Sequence, residues 1–329
     1  MLFTTFVVVV ILVYIFLGIL ALQAVLRGLK EVDICDKLRN DMVIPPRWLP
    51  FMRPPSSLLP SRLSIYLRAF FVAPLGALYV PIIFFMATVV GVVTRKNPSW
   101  IFPYVLPLMM WLLGFKVVVK GKPETVPLYV SNHSAIFDPT FIATVVSFVT
   151  AVAKIEVSRL PFIGMGMKSL GAIFVDRQDA DNRKAAADAI SNYLNNWNET
   201  KPTVIIFPEG TTTNNTEILP FKLGAFQTTC KFQAVRIEYP NPHCAFACST
   251  SALVPLVVCL SMGGGDITLT FFPSTSKGND ESAEQVAERA RRTIAGDRLK
   301  LASSDSGYRS HVEITSMVAD IWEGKAKSE

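Results

Sequence analysis

The chain has 329 residues, half of them hydrophobic and 18% charged, with 32 Lys and Arg against 26 Asp and Glu. The net charge of +6 and pI near 9 suit an anionic membrane surface. No zinc finger, RNA-binding signature or long basic stripe is present, which excludes nucleic acid as an expected partner. Five cysteines, an odd number, with no CxxC pair exclude a disulfide framework and fit a reducing, cytosolic setting.

Residues 2–26 carry no charge. A helix of roughly 20 apolar residues crosses a bilayer core, so this run is expected to span. A cleaved signal peptide needs a basic stretch before a shorter apolar region. Here Arg27 and Lys30 follow the run, which reads as a retained anchor. The Lys and Arg excess over residues 27–68 places that loop in the cytosol. Residues 45–60 (PPRWLPFMRPPSSLLP) read as an irregular, basic linker at the membrane surface. Two further uncharged runs, 69–93 and 97–115, are interrupted by Pro74 and Pro81 and by Pro103 and Pro107. Proline kinks helices, and the loop between the runs is short. A hairpin dipping into one leaflet or a hydrophobic foot is expected, with two ordinary spans as the alternative; either way both flanks are cytosolic.

Beyond the hairpin, short Val/Ile-rich runs at 115–119, 126–130, 172–175, 203–207, 232–237 and 267–272 read as strands. Ala186, Ile190, Tyr193, Leu194 and Trp197 share one helical face. Residues 282–295 form a second amphipathic helix, with Ser282 and Gln285 as a capping box. The expected fold is α/β: a mostly parallel central sheet flanked by helices, with an N-terminal transmembrane helix and a hydrophobic helical hairpin. The expected parts are 1–63 (anchor and proline-rich linker), 64–115 (membrane-embedded hairpin), 116–298 (the α/β domain) and 299–329 (a polar tail, partly disordered).

The chain has three histidines: His133, His243 and His311. His133 sits in SNHSAIFDPT, at the carboxyl end of a predicted strand, where α/β sheets place ligand sites. A histidine with a carboxylate behind it is a general base, and Asp138 is five residues on. Asp138 before Pro139 also fits an N-cap opening a helix over 139–146; the two readings are compatible. GAIFVDR (171–177) presents Asp176 and Arg177 at another strand end, as an ion pair or as a phosphate-binding fork. FPEGTTTN (207–214) crowds Glu209, Gly210, Thr211 and two further hydroxyls after a strand, as a polar turn or a headgroup site. LPFKLGAF (219–226) sets Lys222 in an apolar stretch, snorkelling or contacting phosphate.

The order H-x4-D, GxxFxDR, FPEGT, PFKxGAF after a hydrophobic foot resembles the glycerolipid acyltransferase family, over about residues 114–273. The resemblance implies His133 as general base and Asp138 as its partner. It implies Arg177, Glu209, Gly210 and Thr211 as acceptor-binding residues, with Lys222 in the lysine position of the last block. The implied reaction moves an acyl group from acyl-CoA, a co-substrate, to the free hydroxyl of a lysophospholipid. It implies no metal and no cofactor; the remaining partners are membrane lipids, at the endoplasmic reticulum with the catalytic face cytosolic. No GxSxG elbow occurs, and this chemistry requires none. Thr212 stands where phosphatidic-acid-forming members carry arginine. Asn214, RIEYPN (236–241) and ITLTFFP (267–273) resemble the branch acting on lysophosphatidylcholine and lysophosphatidylethanolamine. Ala234 stands near a position usually held by proline, so no role is assigned there. No EF-hand loop occurs, so calcium regulation is not expected. Lysophosphatidic acid acylation, a CoA-independent transacylase and a non-catalytic lipid-binding scaffold stand as alternatives. Asn132, Asn198 and Asn214 begin glycosylation sequons. Two of these lie inside the catalytic blocks, which favours a cytosolic face.

Overall fold

The computed structural model describes residues 2–175, 180–245, 249 and 253–325. Its first helix, α1 (Leu2–Asp41), runs 40 residues without a break through Arg27 and Lys30, about 60 Å at 1.5 Å per residue. Its two halves have different surroundings. Phe6, Leu12 and Phe16 are exposed, whereas Ala21, Val25, Leu29, Val32, Cys35 and Leu38 are buried along one face. Gly28 permits the close approach: a Cβ there would lie 2.5 Å from Cγ2 of Val258. The anchor therefore continues into the packed body of the protein.

The proline-rich linker is ordered. It forms two short 3-10 turns, Pro46–Phe51 and Ser56–Leu58, and Phe51, Met52 and Arg53 are fully buried. The Arg53 guanidinium pairs with Glu31 of α1 at 2.8 Å, both side chains wholly inaccessible. The Ser249 hydroxyl donates to the other Glu31 oxygen at 3.0 Å.

Helices α2 (Arg62–Phe71), α3 (Ala73–Thr94) and α4 (Phe102–Leu112) follow. The runs Thr5–Asp41 and Arg62–Thr94 are long and apolar enough to cross a membrane, and their most apolar windows are only 11% and 18% buried. On α3, Ala73, Ile83 and Ala87 face inward while Leu78, Ile82, Phe85 and Val89 face out. The inner face touches the domain along its whole length. Gly76 meets Leu260, Phe84 covers Gly166, and Gly91 meets Ser169. At the tip, Asn97 donates to the Leu170 carbonyl at 2.7 Å. The hairpin lies along the domain and turns one apolar face outward.

The α/β body runs β1 (Phe115–Lys120), β2 (Leu128–Ser131), α5 (Asp138–Ala143), β3 (Val149–Lys154), α6 (Ile163–Ser169), β4 (Ile173–Val175), α7 (Ala180–Asn195), β5 (Thr203–Ile206), β6 (Glu217–Ile218), β7 (Phe232–Glu238), α8 (Leu253–Met262), β8 (Gly265–Phe271), α9 (Ala283–Ala295), β9 (Lys300–Leu301) and α10 (Tyr308–Trp322). Seven strands form one sheet in the order β1-β8-β7-β2-β5-β3-β4, and β6 pairs with β9. All neighbours in the large sheet are parallel except β7 and β8. Every residue of β2 is buried, as expected of a central strand covered on both faces. Helix α9 opens with the expected capping box, Ser282 with Gln285. The polar tail contains α10, whose Ile314 and Val318 pack with Ile34, Leu38, Trp48 and Phe51.

Glu31→Ala leaves Arg53 as an uncompensated buried charge. Removing one partner of such a pair costs about 3–5 kcal/mol, so this variant is expected to melt well below wild type in detergent. Glu31→Ala with Arg53→Met should recover much of the loss.

Candidate active site

The site forms where β2 leaves the sheet. The Asn132 side chain takes over the strand's hydrogen bonding: its Oδ1 accepts from the Ile237 amide at 2.8 Å and its Nδ2 donates to the Ile237 carbonyl at 2.9 Å. The chain then turns, and four donors converge on Asp138. Its Oδ2 accepts from the Ser134 and Ala135 amides at 2.6 and 2.9 Å and meets His133 Nδ1 at 2.8 Å. Its Oδ1 accepts from the Tyr239 hydroxyl. An oxygen already accepting from two amides accepts from the imidazole too, so Nδ1 carries the proton and Nε2 keeps its lone pair. The Asp138 side chain is fully buried, while 22% of the His133 side chain is accessible. The imidazole stacks on Phe207 at 4.4 Å with planes 24° apart, which fixes its orientation.

The expected N-cap role of Asp138 does not occur. Phe137 holds the cap position of α5, without a side-chain cap bond, and Asp138 is the first helical residue. Its carboxylate reaches back to the loop amides because the turn over Ser134–Ala135 leaves them unpaired and close.

The 207–214 block grips the same loop. Glu209 is buried; its Oε1 accepts from the His133 amide at 2.6 Å and its Oε2 from the Leu219 amide at 2.9 Å. Burial pushes its carboxyl up to about 8, against the pull of these two amide bonds. The Thr213 amide donates to the His133 carbonyl at 3.0 Å, so both backbone polar groups of His133 are held. Gly210 has φ +73°, and a Cβ there would lie 2.2 Å from Lys222 Nζ; the lysine head rests on the glycine turn. The Thr211 hydroxyl lies 3.1 Å from His311 Nδ1. The structure thus joins His133, Asp138 and Glu209 in one network, sets Gly210 under Lys222, and pairs Thr211 with His311. Arg177 and Asp176 lie outside the described residues. Among the described residues, no three His, Cys, Asp or Glu side chains gather as a metal site would require.

Residues 116–246 match a family model described as Acyltransferase. Over these residues the chain is similar to the acyltransferase family. It is 27% identical over 289 residues to lysophosphatidylcholine acyltransferase 2 of Mus musculus, across 80% of this chain and 53% of that protein. Lysophosphatidylcholine acyltransferase 1 of Homo sapiens is 29% identical over 211 residues, 61% of this chain and 39% of that one. A lysophospholipid acyltransferase of Arabidopsis thaliana is 33% identical over 153 residues, 45% of this chain and 28% of its own length. The chain spans about half the length, 53%, of the first of these relatives. The solved 1-acyl-sn-glycerophosphate (LPA) acyltransferase PlsC of Thermotoga maritima superimposes with a TM-score of 0.48 at 17% identity, over 67% of this chain and 95% of that one.

The site depends on residues to which the sequence motifs assign no role. Tyr239 follows β7 in the RIEYPN segment; a buried tyrosine needs a hydroxyl partner, and that partner is Asp138. Phe207 opens the FPEGT block and serves as the stacking surface for His133. His311 comes from α10, stacked flat on Phe51 at 5.1 Å, and nothing in the local sequence connects it to Thr211. The sequon argument for topology also loses two of its three members. Asn132 and Asn214 are 3% and 4% exposed, and Asn214 Nδ2 donates to the Leu49 and Met52 carbonyls at 2.7 and 3.0 Å. A glycan on either would break these bonds on any side of a membrane; Asn198 alone is exposed.

Burial lowers both remaining histidines to about 4, His243 against the Pro55 carbonyl bond and His311 with added repulsion from Lys154. A histidine whose folded pKa lies below its unfolded value of 6.5 favours the fold above that value. This contribution is lost as pH falls from 6.5 toward 4. Glu209 acts in the opposite sense, favouring the fold at low pH and losing that contribution as pH rises from 4.5 toward 8. Comparing His243→Gln/His311→Gln with wild type isolates the histidine part. The slope of melting temperature against pH between pH 4 and 6.5 should flatten in the double variant.

Proposed function

We propose that this domain transfers a fatty acyl group from acyl-CoA to the free glycerol hydroxyl of a lysophospholipid, with lysophosphatidylcholine or lysophosphatidylethanolamine as acceptor. One observation carries the reading: His133 holds Nδ1 against a buried carboxylate and keeps a lone pair on Nε2 at a partly open face. A hydroxyl is a weak nucleophile until its proton is taken. Nε2 accepts that proton as the acceptor oxygen forms its bond to the thioester carbonyl carbon. The carbon–sulfur bond then breaks, and the CoA thiolate leaves with the proton returned from the imidazolium. Asp138 stabilises the imidazolium while it exists.

The names of the relatives and the Thr212 position support the choice of acceptor. In this reading Lys222, on the Gly210 turn, and Arg177 contact the headgroup phosphate. Glu209 acts through the backbone, holding His133 and Leu219 in place. The exposed Ile136 of the same loop and the outward apolar faces of α3 and α4 support a site beside a membrane, which suits an acceptor that never leaves it. The Lys and Arg excess over 27–68 supports a cytosolic face, at the endoplasmic reticulum.

His133→Ala is expected to lower acyl transfer roughly 10²–10⁴-fold with unchanged membrane association, measured on purified protein with a panel of lysophospholipids. Residual activity within about tenfold of wild type would overturn the base assignment. Product formed without acyl-CoA would assign a transacylase instead. Tyr239→Phe removes a donor from the Asp138 carboxylate that orients His133. kcat should fall more than KM changes. An unchanged kcat would reduce Tyr239 to packing.

A further inference from the structure

The apolar outer face of α3 ends at Val92 and Val93, both exposed, and a groove of about 560 Å³ begins there. Arg95 and Lys96 of the hairpin tip, Lys168 at the end of α6 and Lys201 before β5 line it, with no carboxylate among its described lining residues. Lys201 is partly satisfied by the Asn196 carbonyl at 2.6 Å and lies over the Tyr193 ring. Arg95, Lys96 and Lys168 are exposed. Arg95 also closes α3 in the left-handed conformation, φ 53°, where glycine or asparagine is the usual residue.

The groove is separate from the candidate active site. Gly171 and Pro202, both in its wall, immediately precede β4 and β5, whereas His133 follows β2. These strands run parallel, so groove and imidazole lie at opposite ends of the sheet. A site for the reacting lysophospholipid or thioester would need to reach the imidazole, and this one does not.

We propose that the groove holds the phosphate headgroup of an anionic bilayer phospholipid, as a non-substrate site that fixes how the domain sits on the membrane. Two features meet at its lip. The apolar face supplies contact for acyl chains, and the four cations supply charge complementarity at the level where that face ends. Long Lys and Arg side chains at such a boundary reach the headgroup layer while their stems stay on apolar surface. A soluble phosphate compound shares the charge but has no use for the adjoining apolar face. The inference rests on the reading that this face meets a bilayer.

The full chain is placed in nanodiscs of phosphatidylcholine with or without about 20 mol% phosphatidylglycerol, and hydrogen exchange is followed over residues 91–98 and 166–171. Phosphatidylglycerol should slow exchange in both segments by about threefold or more, and Arg95→Gln/Lys96→Gln/Lys168→Gln should abolish the difference with its melting temperature unchanged. Equal protection in the variant overturns the proposal. So does equal protection by glycerol phosphate added to phosphatidylcholine discs, which would mark a soluble ligand. Failure of the protein to enter phosphatidylcholine discs at all would instead overturn the membrane reading beneath it.

Discussion

Four hydrogen bonds converge on the buried Asp138 carboxylate, and the rest of the site is arranged to supply them. A carboxylate out of water costs several kcal/mol, and each hydrogen bond to a charged group returns about 1.5–3 kcal/mol. Two donors come from its own loop. The third is the imidazole it orients, and the fourth is Tyr239. The sheet order makes this possible, since β7, β2 and β5 are adjacent and parallel. Tyr239 follows β7, His133 follows β2 and Glu209 follows β5, so three loops distant in sequence leave the same edge side by side.

The surface of the molecule follows a second constraint. Helix α3 is apolar all round, yet only one face is packed. Its tip returns to the domain at Asn97, which holds the helix along it. A long apolar helix pressed against a folded domain leaves its outer face to lipid. Helix α1 divides the same problem along its length, with exposed apolar residues first and packed residues after. Helix α1 meets α2, just before α3, at Gly18, where a Cβ would lie 2.8 Å from the Phe70 ring.

Much of this was legible in the sequence where a pattern is local. The central strands are continuous apolar runs and read correctly as strands. The capping box of α9 is a three-residue rule. Strand β3, VTAVAK, escaped because its two alanines and a terminal lysine dilute the signal that Val and Ile give elsewhere. Helix α10 was hidden by a polar tail; Ile314 and Val318 gain meaning only beside α1 and Trp48. Arg53 reads as a surface charge in a basic linker, and its partner Glu31, 22 residues away, makes its burial tolerable. The Asp138 cap reading failed for a related reason. A local rule for Asp-Pro competes with three loop donors and a tyrosine that arrives from another strand.

These long-range links also explain why the matched domain is not self-contained. Glu209 holds His133 with one oxygen and Leu219 with the other. The Leu219 side chain packs in the cluster formed by Ile34 and Leu38 of α1, Phe51 and Met52 of the linker, and Ile314 of α10. Asn214 adds three bonds to the linker backbone, through Pro50, Leu49 and Met52. The position of the imidazole is therefore set from two directions: by the sheet, through β2 and β7, and by the membrane helix, through Leu219 and the linker. Loosening α1 from its cluster withdraws the second support while leaving the first intact. Cutting the chain at the boundaries of the family match would do the same, since α1, the linker and α10 all fall outside residues 116–246.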